Sequence, residues 1–234
     1  MTFPVVLLLI DYLQVRKFTK WLILEKVPFF ALALVFGILS IKTQQSSTAM
    51  QQFGDVQFGE SIFVGAYGLI LYLVKSIIPF QLAAHHPYPM LPGESLQWYY
   101  FLSPLPILFF TWLFWKKCRT NRAAVFGVLF FLVNILPLLQ ILSFGNAFMA
   151  DRYTYLSYLG LFLSAGRLFS FCIEKWENRQ VQLTPYIVAS LVVLCFGWMA
   201  NNRTHAWSDS LTLWNDVLKK YPNNYFALSN RGNV

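Results

Sequence analysis

Five consecutive residues, Asp151-Arg152-Tyr153-Thr154-Tyr155, set an acid, a base and two phenols between two strongly apolar stretches. At the edge of an apolar layer a charge is costly unless it is paired or has a task. Arg152 suits one task well. Its planar, permanently charged fork can hold a phosphate oxygen through two hydrogen bonds. Asp151 can orient Arg152 or accept a proton, and Tyr153 and Tyr155 add hydroxyls beside it. The same residues also read as a loop anchor, an Asp151–Arg152 ion pair flanked by interfacial aromatics. The residues alone leave both readings open.

A second group is His85-His86-Pro87-Tyr88-Pro89, which holds two of the three histidines between stiff prolines. Such a loop can line a polar sugar or phosphate site, which makes His85, His86 and Tyr88 cavity-lining candidates. It can equally be a rigid interfacial loop. A metal site would need further ligands nearby in sequence, and none is there, so no metal and no cofactor are expected. Cys118, Cys172 and Cys195 are widely spaced and read as small apolar fillers. Asp11 reads as a paired boundary residue near Arg16, and Arg167 as a cation reaching for an interface. Asn134 and Gln140 read as hydrogen-bond partners between helices.

The elements that carry these groups are apolar helices. Of the 234 residues, 57% are hydrophobic and only 12% charged, about half the charged share of an ordinary soluble domain. Too little polar surface is left to coat a water-soluble globule, and several apolar windows have membrane-spanning length. The net charge of +8 is no nucleic-acid signal, because the basic residues sit mostly in short loops between apolar segments.

Those loops set a topology. Arg16, Lys17, Lys20 and Lys26 follow segment one, which ends near Val15. Lys116, Lys117, Arg119 and Arg122 follow segment four, Trp98 to Trp115. Both loops are expected inside by the positive-inside rule. Segments two (Val27 to about Ile41), five (Ala123 to about Ser143) and seven (Tyr186 to Ala200) then run outward, and segment six (Tyr155 to Ile173) runs inward. The loop with Asp151 and the tail from Asn201 fall outside. Ser61–Phe80 breaks the parity, and an interfacial or re-entrant helix is the reading that restores it. Thr2 to Val15 is too short for a full span and reads as the second half of one, so a fragment of a longer chain is expected.

The tail has a different character. Trp207, Leu211, Leu213, Trp214, Val217 and Leu218 recur at helical spacing. Tyr221-Pro222-Asn223-Asn224 stops that helix, and a new one starts near Tyr225. Pro222 to Gly232 resembles the junction between tetratricopeptide repeats. Asn202-Arg203-Thr204 matches a glycosylation sequon.

Several motifs together resemble one family. They are Met149-Ala150-Asp151-Arg152-Tyr153-Thr154-Tyr155-Leu156, the upstream Pro4 to Tyr12 and Glu25 to Phe30 segments, the His86-Pro87-Tyr88-Pro89 loop, and the exit Trp207 to Trp214. In this order they resemble the transmembrane and tetratricopeptide-repeat protein O-mannosyltransferases and their bacterial relatives, of the GT-C fold class. The resemblance covers nearly the whole chain and departs at Ser157, where the family usually has proline.

The resemblance implies an all-α fold: a partial, polytopic transmembrane bundle of GT-C type over residues 1–200, then an extracytoplasmic tail over 201–234 that begins the repeats. It implies transfer of a sugar from a polyprenyl- or dolichyl-phosphate donor to an acceptor on the extracytoplasmic face, at a bacterial inner membrane or in the ER lumen. Arg152, Asp151, Tyr153 and Tyr155 would hold the donor phosphate. The catalytic acid would lie in an outer loop upstream of these residues, so the chain alone is expected to be inactive. The partners implied are the lipid-linked donor, the bilayer, and a protein acceptor or partner at the repeats. The rival expectation is a non-enzymatic membrane anchor that presents repeats to a protein. A transporter would show an internal repeat, and none is visible.

Overall fold

The computed structural model describes residues 2–17, 19–45, 58–88, 96–139, 147–174 and 179–234. Among them the regular elements are helical, with eleven α-helices. They are α1 (Phe3–Leu13), α2 (Lys20–Leu24), α3 (Val27–Gln45), α4 (Phe58–Ile77), α5 (Trp98–Phe101), α6 (Pro104–Cys118), α7 (Arg122–Ile135), α8 (Thr154–Glu174), α9 (Arg179–Thr204), α10 (Ser210–Lys220) and α11 (Tyr225–Gly232). Gln140 lies outside the described residues.

The centre is an antiparallel pair, α7 and α8. Gly127 and Gly160 meet backbone to backbone, and a Cβ on either would collide with the other's carbonyl oxygen. Beside them the Ser164 hydroxyl donates to the Ala124 carbonyl at 3.0 Å. Small residues on both faces let two apolar helices approach closely, and the hydroxyl bond adds to the contact. Further along, the Phe131 and Tyr158 rings stack at 6.3 Å.

Helix α1 lies antiparallel to α7. The Thr2 hydroxyl donates to Asn134 Oδ1 at 3.0 Å at one end, and the Arg122 guanidinium lies 5.9 Å from the Tyr12 ring centre at the other. Asn134 thus bonds between helices, as expected. Asp11 is buried and held by Lys26 at 2.6 Å and Arg16 at 2.9 Å. Both basic loops therefore share one end of the bundle, and the Asp151 loop lies at the other.

The segment expected over Ser61–Phe80 is one continuous helix as far as Ile77. Its contacts with α7, α8 and their connection lie at the Asp151 end. The Gly68 backbone abuts the Phe148 ring, the Tyr72 hydroxyl accepts from the Ala150 amide at 3.1 Å, and the Tyr158 hydroxyl donates to the Tyr72 carbonyl at 2.6 Å. A core of Val64, Tyr72, Tyr100, Phe131, Ile135 and Met149 forms there, among other buried residues.

Segment four is two helices, broken at Leu102-Ser103. Pro104 has no amide hydrogen and its ring crowds the preceding turn, which favours a break there and suits Pro104 to the first turn of α6. Beside the break the Ser103 hydroxyl donates to the Phe63 carbonyl at 3.0 Å.

Among the described residues three helical stretches are long and apolar enough to cross a membrane: Lys20–Thr43, Gly59–Ile77 and Leu183–Trp207. None of the most apolar window of the third is buried within the protein. Leu194 and Trp198 are 68% and 67% exposed. An uncovered apolar surface of that extent is compatible with a membrane protein and hard to reconcile with water.

The tail helices form as the sequence expects. The Asp209 carboxylate caps α10 by accepting the Thr212 amide at 2.8 Å, and Asn224 caps α11 by accepting the Ala227 amide at 3.1 Å. The Asn202-Arg203-Thr204 sequon lies in the last turn of α9, with Arg203 bound to Asp216 at 2.7 Å.

Candidate functional site

Two loops far apart in sequence run side by side at the Asp151 end. The His86 amide donates to the Met149 carbonyl and the Phe148 amide donates to the His86 carbonyl, each at 3.0 Å. Ala83, Ala84, Ala147 and Ala150 are all buried here, and their small side chains permit the approach. Gln81 makes the entry turn with φ of 44°, a backbone conformation uncommon outside glycine.

This pairing brings His86 against Asp151. His86 Nε2 lies 3.2 Å from Asp151 Oδ1 and 3.2 Å from the Lys75 ammonium. Lys75 and Asp151 complete the triangle at 3.6 Å. On the opposite ring edge, His86 Nδ1 lies 2.7 Å from the Tyr221 hydroxyl of the tail. Asp151 Oδ2 is buried and meets no hydrogen-bond donor among the described residues. The result is a carboxylate, an imidazole, an ammonium and a phenol in one polar cluster drawn from α4, both loops and α10's end.

Burial holds the His86 imidazole below its ordinary value near 6.5, and the Lys75 charge adds to that, while the Asp151 carboxylate works against both. Burial likewise pushes the phenols of Tyr88 and Tyr221 up, the first also through Tyr153 and the second also through Asp151. These phenols act as neutral hydroxyls.

The Asp-Arg-Tyr run is split between two environments. Asp151 turns inward to Lys75 and His86, so it is not paired with its neighbour Arg152. Arg152 is exposed, with its guanidinium 5.4 Å from the Tyr153 ring centre and no carboxylate bound to it among the described residues. Tyr153 is half-buried on the core. Tyr155 is 72% exposed and lies outside the cluster. The chain thus brings together Asp151 and His86, while Tyr88 packs on the core with its ring centre 6.4 Å from that of Phe148. It leaves Arg152 as an exposed cation beside them.

His85 and His86 are both buried, and what covers them is the tail. His85 Nδ1 meets the Asn224 side-chain amide at 3.0 Å, and its ring stacks on Phe226 at 4.7 Å. Ala84 packs with Val217 and Ala227 of the tail helices, and the Lys220 ammonium donates to the Leu82 carbonyl.

Sequence reasoning passed over two members of this cluster. Lys75 was visible only as a charge inside an apolar helix, the signature of a buried partner. Tyr221 looked like the residue before a helix-stopping proline. Compared with protein-family models, curated proteins and solved structures, the chain has no match.

Proposed function

We propose that this chain is the membrane part of a glycosyltransferase of the GT-C type, which binds a polyprenyl- or dolichyl-phosphate-linked sugar at the Asp151 end of the bundle. The observation that carries the reading is the meeting of the His85-His86 loop with the Asp151-Arg152 run in one polar cluster at the edge of apolar helices. Arg152 is the cation there that no carboxylate neutralises among the described residues. An exposed guanidinium at an apolar rim suits a phosphate that carries a long hydrocarbon chain. Asp151 Oδ2, buried and short of a donor, suits a hydroxyl of the sugar or of the acceptor. In this reading the protein is multi-pass, the tail lies on the extracytoplasmic side, and α4 rests near that interface.

The test is donor binding by the full chain in nanodiscs, with dolichyl-phosphate-mannose as the probe. Arg152→Ala is expected to weaken binding by ten-fold or more, since a charge-assisted hydrogen bond contributes about 1.5–3 kcal/mol. Equal binding by the wild type and the variant, or none by the wild type, overturns the assignment. One observation favours the rival reading of an anchor that presents helical repeats: the tail lies directly over both histidines. An absence of donor binding together with capture of a protein by the tail helices would support that reading instead.

A further inference from the structure

The fastenings described between the tail and the bundle converge on one short strip, Leu82 to His86. In that strip the His86 ring touches both bodies: Nδ1 faces Tyr221 of the tail, and Nε2 faces Lys75 and Asp151 of the bundle. We propose that His86 is a proton-sensitive latch, and that protonating it releases the α10–α11 hairpin and uncovers the Lys75–His86–Asp151 cluster.

The chemistry follows from the donor count. A neutral imidazole has one acceptor nitrogen and one donor nitrogen. Its Nε2 can then accept a hydrogen bond from the Lys75 ammonium while Nδ1 donates one to the Tyr221 oxygen. A protonated imidazole has two donors and no acceptor, so Nε2 would meet the Lys75 ammonium as a like charge at 3.2 Å. Lys75 has little room to withdraw, because its side chain is only 6% exposed. The His86 loop and the tail above it are the parts left to move.

The other charges facing this point do not remove the conflict. Asp151 is the acid against the ring among the described residues; it can accept from a protonated Nε2 at 3.2 Å, but it is shared with Lys75 and burial of the ring outweighs it. Lys220, from α10, adds a further positive charge, and so does Arg203 from α9 toward Lys75; both are shared with Asp216. His85 and Tyr221 bring no negative charge at neutral pH. The closed form thus binds the His86 proton less readily than the open form. The closed form is favoured above pH about 6.5, the free imidazole value, and loses ground as pH falls below it. This inference does not depend on the glycosyltransferase reading.

The experiment is a distance measurement between spin labels at two exposed sites, Ile78 beside the strip and Ser229 on α11, in the full chain in nanodiscs. At pH 8 one distance population is expected. By pH 5 a longer population should grow to the majority. His86→Gln keeps a polar side chain that cannot take a proton, and should give the same distribution at both pH values. Lys75→Gln removes the facing ammonium and should shrink the change, which also covers the case in which the His86 variant does not fold. A wild type with one distribution across pH 5–8, or variants that both keep the full wild-type change, overturns the proposal.

Discussion

His86 Nε2 and Asp151 Oδ1 lie 3.2 Å apart across 65 residues of sequence, with the Lys75 ammonium within reach of both. None of the three is solvated well enough to stand alone. Their side chains are 6%, 17% and 6% exposed for His86, Asp151 and Lys75. A triangle of this kind contributes little as an ornament to the fold and a great deal when broken, because the partner left behind is a buried charge.

Asp151→Asn is therefore expected to destabilise the protein by about 3 kcal/mol, the typical cost of stranding one member of a buried pair. Unfolding in detergent micelles would measure it. Replacing both Lys75 and Asp151 by Leu should recover part of the loss, since no charge is then left buried. An Asp151→Asn protein as stable as the wild type would refute this account of the cluster.

Gly160→Val is expected to force α8 away from α7, as a branched side chain would enter the backbone of Gly127. Overpacking of this sort costs about 1–3 kcal/mol. Gly166→Ala, on the same helix with open space at its Cβ, should be tolerated. The two variants compared by thermal unfolding separate a packing effect from a general dislike of change in α8.

Asp209 gives a pH dependence of known sign. The Thr212 hydroxyl and amide hold its carboxyl below the ordinary 3.8. A lowered carboxyl helps the folded state above its unfolded value, and the help is lost as pH falls through the lower, folded value. The start of α10 should thus stay capped at every pH above 3.8 and fray only below it. An NMR titration of the Thr212 amide is expected to show a midpoint under 3.8, and Asp209→Asn should remove the transition while retaining a cap.

The two ends of the bundle should report opposite sides of the membrane. Thr120 follows α6 at the basic end, and Asn230 lies on α11 over the Asp151 end. Single cysteines at these positions, on a cysteine-free chain in intact cells, are expected to differ. The one at Asn230 should react with an impermeant thiol reagent, and the one at Thr120 should not. Reaction of both, or of Thr120 alone, would reverse the topology read from the loops.

Several features were legible before any coordinates because they are local. Asp209 and Asn224 announce helix starts, since each can satisfy an amide within its own first turn. The basic loops announce a shared end because charge and apolar length recur along the chain. The break before Pro104 was less legible. Proline is tolerated in some apolar helices, as at Pro185 inside α9, and whether the chain bends or parts depends on its surroundings, here the Phe63 carbonyl that accepts from the Ser103 hydroxyl.

The sequence by itself determined that this chain is a set of apolar helices with its charges gathered in loops, and that the tail ends in two short helices. Only the tertiary structure decided the partners of Asp151. A carboxylate next to an arginine looks paired along the chain. Yet the helix that starts at Thr154 and the His86–Met149 bridge turn Asp151 toward Lys75 and His86 and leave Arg152 outside. Long-range pairing follows from how loops cross at the end of a bundle. That crossing is set by packing among Gly127, Gly160, Phe148 and Tyr72, residues whose spacing along the chain carries no sign of it.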